Sequence, residues 1–140
     1  MFFIGDRILK ALALNSGQGQ LFPLIKNWLN FHYVPNPYIA FSLPLSGLLL
    51  TIIISIFILL LLFYIIYLIL NKKSHKALIL PLTFILFGAI SNLLDRFLYG
   101  PVIDYFDLRY FTVFNIADAM ISGGVLIIFL IYAFSRKSSN

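Results

Sequence analysis

The chain contains no cysteine and no glutamate, so its five acidic residues are all aspartates. Without cysteine it has no disulfide bond, no thiol nucleophile and no thiolate ligand for a metal. Its two histidines, His32 and His75, lie far apart in the sequence, whereas a zinc site needs three or four protein ligands close together. These absences argue against a metal site.

Charge of either sign is also scarce. Only 11% of the 140 residues are charged and 61% are hydrophobic, whereas about 25% are charged in an average soluble domain. The composition therefore indicates a membrane protein. The net charge of +5 does not indicate nucleic acid, because the basic residues are scattered or lie at the ends of apolar runs, as the positive-inside rule describes.

Three apolar runs predict helices that cross the membrane, at 47–70, 77–94 and 115–134. The first has 24 uncharged residues, and a spanning helix needs about 20. The chain length has room for one domain, which we place at 1–140.

The N-terminal third is less regular. Residues 1–14 are apolar but include Asp6, Arg7 and Lys10, and they are too few to span, so they predict a partial first helix. Residues 15–45 combine prolines and glycines with aromatic residues, which suggests short strands lying on the outer face.

The basic residues predict the orientation. Compact basic clusters at 72–76 and 136–137 belong on the cytoplasmic side, which places the segment 95–118 at the outer face. Residues 99–114 are expected to form an interfacial loop there, with aromatic side chains such as Tyr105 at the level of the lipid headgroups.

Four of the five aspartates lie in this outer segment. An ionisable group at a membrane boundary is costly and indicates a functional site. Asp104 and Asp118 could meet as a pair of carboxylates that shares one proton, as in an aspartic protease. Alternatively Asp104 is a solvated loop carboxylate, and Asp107 is interpreted as a solvated loop charge.

Two Asn-x-x-Asp patterns accompany the aspartates. Asn115 and Asp118 could be an N-cap and capping-box acid at the start of a helix, or part of a functional site. Asp95 follows Asn92 near the end of a helix, where capping does not explain it. With Arg96 it could form a structural ion pair or orient a substrate.

Together these segments resemble the lipoprotein signal peptidase family, the type II signal peptidases of bacterial membranes. The matching segments are Asp6-Arg-Ile-Leu-Lys10, Tyr33-Val-Pro-Asn36, Ala40-Phe-Ser42, Gly88-Ala-Ile-Ser-Asn-Leu-Leu-Asp-Arg96, Gly100-Pro-Val-Ile-Asp104 and Phe114-Asn-Ile-Ala-Asp118.

The resemblance implies an all-α membrane protein, a bundle of up to four transmembrane helices (the first one short or truncated) with a small outer β-rich cradle. It implies an aspartyl endopeptidase of the bacterial cytoplasmic membrane, with its active site at the outer face and without metal or cofactor. The substrate would be a lipidated prolipoprotein, cut just before the cysteine that carries a diacylglyceryl group. Membrane lipid would surround the protein, and we expect a monomer.

The same resemblance assigns roles to residues. The catalytic pair would be Asp104 and Asp118. The substrate would be held by Asn36, Asn92, Arg96 and Asn115. Asp6, Lys10 and Asp95 would support the site, the last as the partner of Arg96.

Some features depart from the family pattern. Five residues precede Asp6, so the first helix lacks most of its membrane-crossing part, and Pro37-Tyr38-Ile39 replaces a run of small residues. A catalytically inactive relative that binds lipoproteins or assembles with a partner is therefore an alternative. A small transporter subunit that uses Asp118 as a proton carrier is another.

Overall fold

The computed structural model describes residues 1–17, 19–38, 46–71 and 75–137, with the side chains of 136 and 137 left aside. The Ala40-Phe-Ser42 segment and much of the basic turn at 72–76 therefore lie outside the described residues. In chain order the elements are α1 (Phe2–Ser16), β1 (Phe22–Ile25), β2 (Leu29–Asn36), α2 (Gly47–Leu70), a 3₁₀ turn (Lys76–Leu78), α3 (Ile79–Tyr99), β3 (Val102–Leu108), β4 (Val113–Phe114) and α4 (Ile116–Lys137).

In the described part of the chain, three helical segments are long and apolar enough to cross a membrane, at 47–70, 76–99 and 116–135. The structure is thus a multi-pass helical membrane protein, as predicted. Helix α2 has the expected bounds, but α3 continues past residue 94 to Tyr99. It continues because Asp95 is buried against partners instead of turning to water, and it ends at Gly100, whose φ of 90° favours glycine.

Helix α1 is shorter than the other three, at 15 residues, and a spanning helix needs about 20. It packs against strands β2 and β3 and against helices α3 and α4. Its buried residues are Asp6, Lys10 and Ala13, so the face that it turns towards the protein is mainly polar. That polar face contributes to the site.

A four-stranded antiparallel sheet in the order β1-β2-β3-β4 forms the predicted β-rich cradle. Val34 on β2 lies opposite Asp104 on β3, and Phe106 on β3 lies opposite Phe114 on β4. The expectation of an interfacial loop at 99–114 was therefore wrong for most of that segment, because its alternating apolar residues pair as strands. Tyr105, expected at the headgroup level, has no exposed surface.

Two hydrophobic cores hold these elements together. The larger one joins α2 to α3 through side chains such as Leu61, Ile65 and Leu82, with residues of α4 packed against it. A smaller one beneath the sheet is built on Ala13, Ile103 and Tyr105. Most of the predicted site residues lie at the C-terminal end of α3, on β3 and at the start of α4.

Glycines allow α3 and α4 to approach closely. A Cβ atom added to Gly88 would lie 2.5 Å from the carbonyl oxygen of Ala117, and one added to Gly124 would lie 2.6 Å from that of Pro81. Small residues of this kind are the usual means by which helices make close backbone contact in membranes. The contact holds the start of α4 against α3.

Replacement of Gly124 by alanine tests this contact. The added methyl group must displace a backbone carbonyl, so we expect Gly124→Ala to lower the free energy of unfolding by about 1–3 kcal/mol and to lower the unfolding temperature in detergent. Gly123→Ala is the matched control, because nothing lies within 4 Å of its added Cβ. Equal unfolding temperatures for the two variants would contradict the close contact.

Candidate active site

The two predicted catalytic carboxylates lie in one hydrogen-bonded cluster. Asp104 comes from strand β3 and Asp118 from the first turn of α4. Asn115 contacts both, because its Nδ2 donates to Asp104 Oδ1 at 2.6 Å and its Oδ1 accepts from the backbone N–H of Asp118 at 2.8 Å. The structure thus brings together two residues that the sequence places on different elements.

Asn115 is also the N-cap of α4. The backbone N–H of Asn115 lies 3.4 Å from Asp118 Oδ2, so the two residues form a reciprocal capping box. The capping interpretation of this motif is confirmed, and the same two residues also lie beside Asp104 and Asn92. The cap uses one carboxylate oxygen of Asp118, and the other oxygen accepts from Asn92 Nδ2 at 2.8 Å.

Asp104 is buried, with 2% of its surface exposed. It lies on a strand, so the interpretation as a solvated loop carboxylate was wrong. Its second oxygen accepts from Asn36 Nδ2 at 2.9 Å. Burial, followed by the nearby carboxylate of Asp118, raises the pKa of Asp104 to about 7, although the amides of Asn36 and Asn115 lower it.

Asn92 connects Asp118 to the polar face of α1. Its Oδ1 accepts from the ammonium group of Lys10 at 2.8 Å, while its Nδ2 donates to Asp118. An ammonium group can only donate, so Lys10 determines which end of the amide is the oxygen. The NH₂ end must then face the carboxylate of Asp118.

Lys10 lies at the centre of a buried ionic cluster formed by Asp6, Arg7, Lys10 and Asp95. Lys10 Nζ is 3.2 Å from Asp6 Oδ2 and 2.6 Å from Asp95 Oδ2, and Arg7 pairs with the other oxygen of Asp95. Lys10 and both aspartates are fully buried. Ser91 Oγ donates to Asp6 Oδ2 at 2.6 Å, so the acids of the cluster have donors as well as counter-charges.

The expectation that Asp95 pairs with Arg96 was wrong. Successive residues on a helix do not face each other, so Asp95 turns towards α1 and Arg96 turns away from it. Arg96 instead donates through NH2 to the carbonyl oxygen of Tyr38 at 2.9 Å. Its Nε is buried and has no hydrogen-bond partner among the described residues.

The remaining aspartate also differs from expectation. Asp107 lies on β3, where its Oδ2 is 3.3 Å from Nε2 of His32 on the neighbouring strand. It is thus a partly buried strand residue, and it takes no part in the hydrogen bonds of the cluster around Asp104. It has no place in the candidate site.

Sequence reasoning missed two residues of the site. Arg7 lies inside the Asp6-to-Lys10 segment, and its position beside two residues singled out there was a usable signal. Tyr105 follows Asp104 directly, and its hydroxyl donates to Asp6 Oδ1 at 2.8 Å. Burial raises the pKa of Tyr105, so this hydroxyl stays protonated and able to donate. Only the three-dimensional arrangement identifies this contact.

A cavity of about 490 Å³ opens beside the carboxylates. Asp118, Asn92 and Arg96 line its polar end. The rest of its lining is mainly apolar and comes from α2, α3, α4 and the strands, including Ile54, Phe57, Ile85, Phe111 and Ile121. Within the described ranges no three His, Cys, Asp or Glu residues group together in a way that could hold a metal ion.

Known proteins match this chain in sequence and in fold. A family model described as signal peptidase II matches residues 1–134. The lipoprotein signal peptidase of Syntrophus aciditrophicus (strain SB) is 40% identical over 128 residues, which cover 84% of this chain and 76% of that protein. That of Clostridium tetani (strain Massachusetts / E88) is 37% identical over 134 residues, covering 90% and 85% respectively.

Two solved structures described as bacterial membrane enzymes have a similar fold. One has a TM-score of 0.85 at 24% identity, over 99% of this chain and 87% of the other. The second has a TM-score of 0.76 at 26% identity, over 94% and 86%. The family resemblance of the sequence is confirmed, and this chain belongs to the signal peptidase II family.

Proposed function

We propose that this protein is an aspartic endopeptidase that removes the signal peptide from diacylglyceryl-modified prolipoproteins, cutting before the lipidated cysteine. The observation that carries the proposal is the pair Asp104 and Asp118, bridged by Asn115 beside a mainly apolar cavity. The name of the similar proteins, lipoprotein signal peptidase, supports this choice of substrate.

The two carboxylates have different tasks in the proposed reaction. Asp104 holds the proton of the pair near neutral pH, since its pKa is raised to about 7. Asp118 takes a proton from water, whose oxygen bonds to the carbonyl carbon of the substrate while Asp104 protonates the carbonyl oxygen. When the tetrahedral intermediate collapses, the C–N bond breaks. The leaving nitrogen takes the proton from Asp118, and a hydroxyl of the intermediate returns one to Asp104.

The amides around the pair have a holding role. Asn36, Asn92 and Asn115 each donate to one of the two carboxylates, which fixes the orientation of the oxygens before substrate arrives. Their predicted contact with the substrate backbone stays a prediction. Asn36, Asn92 and Arg96 all line the cavity. Arg96 is the better candidate for that contact, because its Nε has no hydrogen-bond partner in the described structure.

The cavity suits a lipidated substrate. Ile54 and Phe57 from α2 line it together with Ile121 from α4, and acyl chains laid against such surfaces gain about 0.8 kcal/mol per buried CH₂ group. An opening between membrane helices would let the substrate enter sideways from the bilayer.

We place the protein in the bacterial cytoplasmic membrane with the site at the outer face. The 3₁₀ turn Lys76–Leu78, which ends the connection between α2 and α3, lies at the opposite end of α3 from strand β3. The basic residues of that connection favour the cytoplasmic side. Because one chain supplies every side chain of the candidate site, we propose that it acts as a monomer.

Replacement of either carboxylate by its amide tests the proposal. We expect Asp104→Asn and Asp118→Asn each to lower the rate of signal-peptide release by more than about a hundredfold, because the amide neither accepts the proton of water nor donates as an acid. The measurement is cleavage of a diacylglyceryl-modified precursor in detergent micelles. Asp107→Asn is the matched control and should keep the wild-type rate.

Two results would contradict the proposal. One is a wild-type rate in either variant. The other is wild-type protein that binds the precursor without ever releasing the signal peptide, which would favour a catalytically inactive relative that binds lipoproteins.

The dependence of cleavage on pH gives a further prediction. Asp104 is mostly protonated below about pH 7 and ionised above it in the protein without substrate, so kcat/KM should be highest at or below neutral pH. It should then fall as pH rises, by about tenfold per unit once the acid form is the minor one. A rate that stays constant between pH 6 and 8.5 would argue against Asp104 as the acid.

The ionisation of Asp104 should also make the free energy of unfolding depend on pH. The pKa of Asp104 is higher in the folded protein than its ordinary value of 3.8, so the folded state binds the proton more tightly. The free energy of unfolding should therefore fall as pH rises from about 4 to 7. Asp104→Asn should lose this part of the pH dependence in thermal unfolding, whereas Asp107→Asn should keep it.

A further inference from the structure

The first turn of α4 carries backbone N–H groups that no helical carbonyl can reach, as at the start of every helix. Two of them are satisfied by the capping box. The N–H of Asn115 is directed at Asp118 Oδ2, and the N–H of Asp118 donates to Asn115 Oδ1. These bonds are local to the turn and do not fix it relative to the rest of the protein.

The two N–H groups between them are bound by residues from other elements. The N–H of Ile116 donates to the hydroxyl oxygen of Tyr105 on β3 at 3.0 Å. The N–H of Ala117 donates to Asp6 Oδ1 on α1 at 3.2 Å. Side chains of a strand and of another helix therefore hold the backbone of this turn in place.

The Tyr105 hydroxyl links these contacts. It accepts a hydrogen bond from the N–H of Ile116 and donates its one proton to Asp6. Its ring is buried and packs against Phe31 and Phe106, with ring centroids 5.5 Å and 4.8 Å away. The position of the hydroxyl is thus set by packing and not by the turn that it holds.

The position of Tyr105 on β3 explains why its contact with Ile116 matters for Asp104. It is the residue after Asp104, and successive side chains of a strand point to opposite faces. One face of β3 thus presents a carboxylate of the pair, and the other face holds the turn that carries Asp118. A short rigid path through Tyr105 therefore connects the two carboxylates.

We propose that the Tyr105 hydroxyl is a positioning group that sets the placement of Asp118 relative to Asp104, acting through the backbone of the first turn of α4. The inference rests on the proposed peptidase function for its effect on rate. Its effect on the turn does not depend on that function.

Tyr105→Phe removes the hydroxyl and keeps the ring. We expect kcat for signal-peptide release to fall about tenfold to a hundredfold, because small misplacements of reacting groups have effects of that size. KM should stay close to the wild-type value, since Tyr105 does not line the cavity. Tyr110→Phe is the matched control, because it removes a hydroxyl from a side chain that is 85% exposed.

A second variant removes the same hydrogen bond from its other side. Ile116→Pro deletes the donor, and proline is well tolerated at the first position of a helix. We expect it to lower kcat as Tyr105→Phe does. Each change breaks the bond between Ile116 and Tyr105, so its loss should count only once in the double variant. Tyr105→Phe also removes the bond to Asp6, and Ile116→Pro also removes an apolar side chain packed near Tyr105. The double variant should therefore lose less kcat than the product of the two single losses.

Hydrogen exchange gives a readout that needs no substrate. In Tyr105→Phe the amides of Ile116 and Ala117 should exchange faster than in the wild type and in Tyr110→Phe. Wild-type exchange at these amides, or a kcat unchanged from wild type, would overturn the inference. So would a loss of kcat that Gly124→Ala reproduces at an equal loss of thermal stability. Should the wild-type protein cleave no precursor, the peptidase proposal fails and exchange at the two amides decides the inference alone.

Discussion

The site depends on the ion pairs and the hydrogen bond made by the buried ammonium group of Lys10. A charge without exposed surface is tolerated only when counter-charges and hydrogen bonds replace its water, and Lys10 has three such partners, in Asp6, Asn92 and Asp95. Through these contacts one side chain pairs with two acids, one of which also pairs with Arg7, and orients an amide. Asp6 on α1 in turn binds a backbone N–H group of α4, and Asp95 on α3 binds one of β3. Lys10 pairs with both acids, so it connects the two elements that carry the carboxylate pair.

The cap of α4 and the hydrogen bonds of the carboxylate pair use the same two side chains, those of Asn115 and Asp118. Asn115 caps α4 with its carbonyl oxygen and binds Asp104 with its amide nitrogen. One carboxylate oxygen of Asp118 accepts from the backbone N–H of Asn115, and the other accepts from the side-chain amide of Asn92. A helix start that satisfies two of its own N–H groups therefore also places a carboxylate beside the cavity. The capping motif in the sequence thus does not exclude the proposed catalytic role of Asp118.

Features that depend on residues close together in the sequence could be predicted, whereas features that depend on contacts between distant segments could not. Helix α2 was predicted to its bounds because a spanning helix follows from local apolar content alone. Strand β3 was missed because its aromatic residues also suit a membrane interface, and the choice depends on the pairing of β3 with β2. Asp95 was assigned the wrong partner because the sequence shows its neighbour Arg96 but not its contact with Lys10, which lies on another helix. The hydroxyl of Tyr105 gave no signal, since buried contacts of this kind exist only once three elements have met.

The separation along the chain of the residues in the ionic cluster has a consequence for biosynthesis. Asp6 and Lys10 are one helical turn apart, so they can pair as soon as α1 forms. Their other partners come much later, since 85 positions separate Asp6 from Ser91. At about 5–20 residues per second, ribosomes need roughly four seconds or longer to make that stretch. During that interval α2 emerges and can insert. The polar side chains of α1 then have only the ion pair between Asp6 and Lys10, without the partners that α3 provides later. The site is therefore among the last parts of the molecule to form.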